Sequence, residues 1–307
     1  IFRKVIFMNE KRNKRLMHIV KRVHGLIEND DLQKQRNSQN QLGSVFENDK
    51  RFRFTPVNVN TMHCEWTEYV YPKPVENDSK IIFYCHGGGY MTGSCMYARE
   101  ITTKLARKNS CKIFSFDYRL APEHPHPAAL EDALSAWKYI LSCGYLPENV
   151  IFAGDSAGGN LCLVLTLLLR QLDMQMPKCL ILFSPGTDMT ASGKSYHSKE
   201  LLDPVLDNNY IQKALKCYLQ DTPPTSPFVS PIFADFNGFP PVYIQVGDNE
   251  ILLDDSQTLY NHLLKYNVYA RLDIFPGLWH VFQMSPIKAS RTAIDKVHAF
   301  IGELDTI

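Results

Sequence analysis

The chain has almost no net charge: 33 lysines and arginines against 32 aspartates and glutamates leave +1 over 307 residues. A nucleic-acid binder needs a basic excess to neutralise phosphates, so this balance argues against that class and for a small, neutral partner. The 8 cysteines contain no CxxC pair. Several lie inside apolar runs, Cys85 in IIFYC and Cys179 in CLILF, and read as buried free thiols rather than a disulfide framework or a metal set. That usage favours a reducing, cytoplasmic compartment. The longest apolar run, LCLVLTLLL at 161–169, is far too short to span a bilayer, so no stable membrane insertion is expected. Residues 1–8 mix Arg3 and Lys4 with apolar side chains and lack a small-residue cleavage site, unlike a signal peptide. No Pro/Gly/Ser-rich linker and no internal repeat divides the chain.

What is present is enough for one sizeable core, with 45% hydrophobic and 21% charged residues. Near the start, Lys11, Arg12, Lys14, Arg15, Lys21 and Arg22 interleave with Leu16, Met17, Ile19, Val20, Val23, Leu26 and Ile27 at helical spacing. Such a basic amphipathic helix either packs its stripe on the domain or lies on a membrane surface, and the first reading is preferred. A polar stretch follows from Glu28 to Lys50. Apolar runs at 80–85, 111–118, 149–155, 178–184 and 241–247 then predict strands buried on both faces, hence a parallel sheet. Helical patterns around 97–109, 127–142, 157–172 and 254–266 separate them, and a last strand at 270–275 precedes a helix at about 287–303. Strands alternating with helices give an α/β class. Residues 192–233 interrupt the alternation with a helical DNNYIQKALKCYL and a Pro-rich exit. They read as an insertion above the carboxyl ends of the strands, where open α/β sheets bind ligands.

Two motifs carry chemistry. Gly154-Asp155-Ser156-Ala157-Gly158 is a G-x-S-x-G placed between a strand and an apolar helix. A serine there stands exposed on a tight turn where a base can reach it; the bland alternative is a loop serine that only caps the helix. Upstream, His86-Gly87-Gly88-Gly89-Tyr90 follows the strand at 80–85. Consecutive glycines are entropically costly and make sense where peptide N–H groups must approach a reacting oxygen. A phosphate cradle would instead need a following Lys-Ser/Thr or G-x-G-x-x-G spacing, and neither is present.

With HGGGY (86–90), YRLAPEHPHPAALED (118–132), GDSAGGN (154–160) and GLWHVF (277–282), the chain resembles the hormone-sensitive-lipase-like esterases of the α/β-hydrolase fold, chiefly the bacterial members. The resemblance runs from about Val57 to the carboxyl terminus and departs at His126, where the family usually has an aromatic residue. It implies a mostly parallel sheet with an antiparallel second strand, helices on both faces, and a helical cap built from residues 1–50 and 192–233 over a catalytic domain at 51–191 and 234–307. It also implies an oxyanion hole formed by the N–H groups of Gly88, Gly89 and Ala157.

Among 10 histidines, the order nucleophile, acid, histidine of α/β hydrolases selects one late in the chain. His280 lies in a loop after the last strand. His298 and His262 sit on helices, and His86 belongs to the glycine loop. Four carboxylates follow the strand at 241–247: Asp248, Glu250, Asp254 and Asp255. The last two suit the first turn of the next helix. In the related family the acid opens a DPL-type turn, and laying GDNEILLDD on it favours Glu250 as the acid, with Asp248 the alternative. Tyr90, Leu201, Leu202 and Trp279 are the expected apolar walls. The expected function is a cofactor- and metal-free serine carboxylesterase acting on short- to medium-chain acyl esters. An amidase or peptidase using the same triad is the alternative, and a non-catalytic receptor on this fold the remote one. A homodimer is compatible with the sequence.

Overall fold

A computed structural model describes residues 15–25, 31–72 and 79–306. Its sheet has strands β1 (Phe52–Val59), β2 (Met62–Tyr69), β3 (Ile81–Cys85), β4 (Lys112–Phe116), β5 (Val150–Asp155), β6 (Cys179–Phe183), β7 (Val242–Gly247) and β8 (Ala270–Phe275). They lie in the order β1-β2-β4-β3-β5-β6-β7-β8. β2 runs antiparallel to both neighbours, and all other pairings are parallel. All six strands expected from the apolar runs form. β3, β5, β6 and β7 are buried along their whole length, which explains why they read as unbroken apolar runs. β1 is half-exposed and alternates instead.

Side chains of each strand divide between two cores with a period of two. Ile81, Phe83 and Cys85 face one side with Trp137 and Ile140 of helix α3 (Ala128–Ser142), Leu161 and Leu165 of α4 (Ala157–Gln171), and Leu259 and Leu263 of α6 (Leu253–Lys265). Ile82 and Tyr84 face the other with Ile101 and Leu105 of α2 (Cys95–Asn109) and Val297 and Phe300 of α7 (Lys288–Leu304). Each fully covered Leu, Ile or Phe in these layers contributes roughly 1.5–3 kcal/mol. The apolar run at 161–169 lies on α4 and is buried there except at Leu168. Among the described residues no helix is long and apolar enough to cross a membrane. None of the eight cysteines is in a disulfide; six are buried, with Cys143 exposed and Cys217 between.

Two segments lie outside the strand–helix alternation. Residues 15–25 are helical, with Leu16, Met17 and Val20 packed on Leu278, Trp279 and Phe282 and Ile19 and Val23 exposed; Lys11, Arg12, Lys14, Leu26 and Ile27 lie outside the described residues. The polar stretch forms helix α1 (Leu32–Gly43), which has no apolar stripe. Asp31 caps it by accepting from Gln33 N and Lys34 N, and Arg36 ties it to Glu123 and to the carbonyls of Met91 and Ala121. Between β6 and β7, residues 192–233 contain a short turn (Ser195–Ser198) and helix α5 (Asn208–Leu219).

Candidate active site

β5 ends at Asp155 and α4 begins at Ala157, so Ser156 makes the whole turn. Its backbone sits at φ 54, ψ −119, a left-handed geometry that costs a non-glycine residue about 1–3 kcal/mol. The turn is tight because a Cβ on Gly158 would fall 2.0 Å from the Cys85 carbonyl oxygen; only glycine lets α4 start this close to the end of β3. Ser156 makes no capping hydrogen bond with its side chain, so the hydroxyl is not consumed by the helix terminus.

Beyond β3 the backbone turns left-handed at Gly88 (φ 112), Gly89 (φ 61) and Tyr90 (φ 60). Asp155, fully buried, fastens this loop to the Ser156 turn. Its Oδ1 accepts from Gly87 N at 3.0 Å and from Tyr84 Oη at 2.6 Å. Burial, opposed by the Tyr84 hydrogen bond and the nearby His280, lifts its pKa to about 6. On the far side of the loop, Tyr118 Oη donates to the His86 carbonyl at 2.8 Å, and its ring stacks on the His86 imidazole at 4.1 Å.

His280 follows β8 and is buried, as is Glu250 after β7. Its Nδ1 lies 2.8 Å from Glu250 Oε2. A carboxylate can only accept, so Nδ1 carries the hydrogen and Nε2 keeps a lone pair. Glu250 Oε1 accepts from Ser184 Oγ at 2.8 Å and from Gly247 N, and Ser184 Oγ in turn accepts from Val281 N at 3.2 Å. Ser184 follows Phe183, whose carbonyl accepts from Ser156 N at 2.8 Å, so one short path joins Glu250, the His280 loop and the Ser156 turn. Burial lowers the His280 pKa, but the Glu250 hydrogen bond and the charges of Glu250, Asp203 and Asp155 outweigh it and raise the value above 6.5. Asp248 is engaged elsewhere, accepting from Gly277 N at 2.6 Å.

Ser156 and Ala157 open on an apolar cavity with Gly89 and Tyr90 on the core side. Residues 192–233 supply Tyr196, Leu206, Tyr210, Ala214, Leu215 and Tyr218 to its wall. Helix α5 rests directly on the glycine loop: a Cβ on Gly89 would lie 2.8 Å from Tyr210 Oη and 3.3 Å from Ala214 Cβ. Among the described residues no cluster of His, Cys, Asp or Glu is arranged to hold a metal ion.

An α/β-hydrolase-fold family model matches residues 82–284. An esterase of Acinetobacter venetianus is 38% identical over 74% of this chain and 76% of its own, and an acetyl-hydrolase of Streptomyces hygroscopicus is 32% identical over 79% and 81%. Among solved structures, an esterase from the bacterial hormone-sensitive lipase family superposes with a TM-score of 0.88 at 30% identity, covering 95% of this chain and 97% of that one. The chain belongs to the hormone-sensitive-lipase-like esterases of the α/β-hydrolase fold.

In this esterase three of the expected wall residues are elsewhere. Leu201 and Leu202 are 92% and 44% exposed and do not line the cavity. They stand on a turn closed by bonds from Leu202 N and Asp203 N to the Lys199 carbonyl. The carboxylate of Asp203 points inward from that turn, leaving the leucines outside, and Leu206 takes the wall position. Trp279, next to His280, is buried with Leu278, Phe282 and Ala293 under the histidine loop rather than at the cavity. Tyr90 does line it. Asp254 and Asp255 occupy the first turn of α6 as expected. Asp255 is also buried, accepts from Thr187 N and Asp188 N, and has its pKa raised to about 7 by that burial.

Sequence reasoning missed Asp203 and Ser184. Asp203 accepts from Val205 N and Leu206 N with Oδ1 and from Ile251 N with Oδ2, which binds residues 192–233 to the residue after Glu250. Burial, opposed by His280 and reinforced by Glu250, lifts its pKa to about 6. No sequence pattern distinguishes it from a solvent-facing turn aspartate. The α5 wall residues were findable, since Tyr210, Ala214 and Tyr218 recur every four positions along an amphipathic helix.

Proposed function

We propose that this esterase is a serine carboxylesterase of short- to medium-chain acyl esters, working through an acyl-enzyme. Ser156 Oγ attacks the ester carbonyl as its proton passes to His280 Nε2. Gly88, Gly89 and Ala157 donate their N–H groups to the oxyanion, while Glu250 holds the imidazole tautomer and stabilises the imidazolium. The alcohol leaves with the proton from His280. Water, deprotonated by the same ring, then releases the acid and frees Ser156. The observation that carries this reading is Ser156: a strained serine whose hydroxyl makes no capping bond and which lines an apolar cavity. The buried His280–Glu250 pair supports the assignment of base and acid.

The cavity measures about 60 Å³. That supports acetyl to hexanoyl chains over long ones. A series of p-nitrophenyl esters from acetate to palmitate tests this: kcat/KM is expected to peak at or below hexanoate, and a maximum at palmitate would refute it.

A further inference from the structure

Resting on the esterase reading, we propose that Tyr218 is the residue that stops the acyl chain, backed by Tyr90 and positioned by His126, while Ala214 keeps open the slot leading to it. The three α5 residues Tyr210, Ala214 and Tyr218 share one helix face, and that face lies on the glycine loop, with Ala214 beside Gly89. Tyr218 is one turn further on, about 6 Å along the helix axis. On this proposal an acyl chain carried on Ser156 Oγ passes the small Ala214 side chain before meeting the Tyr218 ring.

That ring is a firm stop. It stacks on Tyr90 with centroids 3.7 Å apart and planes within 2°. Tyr90 is itself pinned, its hydroxyl 2.8 Å from Asn160 Oδ1, and Asn160 Nδ2 is held by the carbonyls of Gly186 and Val229. His126 does not line the cavity but engages Tyr218 in three ways. Its backbone N donates to the Tyr218 carbonyl at 2.9 Å, its Nδ1 lies 3.3 Å from Tyr218 Oη, and its ring meets the phenol edge-on at 5.7 Å.

The test measures kcat/KM for p-nitrophenyl acetate, butyrate, hexanoate, octanoate and decanoate with the wild type, Tyr218→Ala, Tyr218→Phe, Ala214→Leu and His126→Ala. Each methylene that gains apolar cover is worth roughly fourfold. Tyr218→Ala, which admits at least two more, should raise the octanoate-to-butyrate ratio by about 15-fold. Tyr218→Phe keeps the ring and should leave the ratio within about twofold. Ala214→Leu should narrow the slot and depress butyrate at least tenfold more than acetate. His126→Ala should shift the ratio in the direction of Tyr218→Ala by a smaller factor.

An unchanged ratio in Tyr218→Ala, or a shift in Tyr218→Phe as large as in Tyr218→Ala, overturns the proposal. Should Tyr218→Ala not fold, the Ala214→Leu result decides: equal losses on acetate and butyrate overturn it. Failure of the underlying esterase reading is recognised separately, because the wild type would then hydrolyse none of the five esters.

Discussion

Replacing Glu250 with glutamine changes one atom and almost no volume, yet should nearly abolish catalysis. The glutamine carbonyl can take over the bonds that Oε1 accepts from Ser184 and Gly247, so the loop keeps its shape. The amide nitrogen then falls where Oε2 now meets His280 Nδ1 at 2.8 Å. An amide donates, so Nδ1 must lose its hydrogen and Nε2 must carry it, leaving no lone pair to receive the Ser156 proton. In triads of this kind the equivalent swap costs about 10⁴-fold in kcat, equal to roughly 5.5 kcal/mol at 1.36 kcal/mol per decade. The assay is kcat/KM on p-nitrophenyl butyrate, with urea melts to show that the fold survives. Asp248→Asn serves as the paired variant, since Asp248 binds Gly277 N rather than the imidazole, and it should stay within about tenfold of wild type. If Glu250→Gln retained more than a tenth of the activity while Asp248→Asn lost three decades, the assignment of the acid would be wrong.

Ser156→Gly should abolish turnover while raising stability by about 1 kcal/mol, because glycine tolerates the positive φ that serine does not; urea melts measure it. Gly158→Ala should destabilise by roughly 1–3 kcal/mol, since its Cβ meets the Cys85 and His86 carbonyls at 2.0 and 2.5 Å, and denaturant titration reads the loss. The acid limb of kcat/KM should have its midpoint above 6.5, where the raised His280 pKa lies, and activity should fall as pH drops through it because the base must be neutral. Asp203→Asn removes one of the negative charges that raise this pKa, so its pH–rate profile should show the limb displaced to lower pH.

The parts of the molecule that were legible before folding are those whose physics is local. Ile81–Cys85 and Val150–Asp155 are buried on both faces, so hydrophobic runs marked them. Gly87 to Gly89 and Gly154 to Gly158 announce turns that only glycine permits. His280 and Glu250, 30 residues apart, followed from chain order and from a family resemblance rather than from any local pattern. What remained hidden depends on long-range packing. Leu201 and Leu202 face outward rather than lining the cavity because their neighbour Asp203 turns in, where its carboxylate finds three backbone N–H groups, a choice no local window records. Helix α1 leaves no hydrophobic periodicity in the sequence because it is held by the Asp31 cap and by Arg36 reaching residues 55 to 87 positions away, not by an apolar stripe.

The central claim is that Ser156 is a nucleophile activated by its surroundings, and covalent capture tests it most directly. The protein is incubated with a p-nitrophenyl alkylphosphonate, and its intact mass and the modified peptide are read by mass spectrometry. The account predicts one phosphonyl group per chain, on Ser156, with Ser156→Ala folded and unlabelled. A wild type that stays unmodified, or a Ser156→Ala variant that labels equally well, would contradict it.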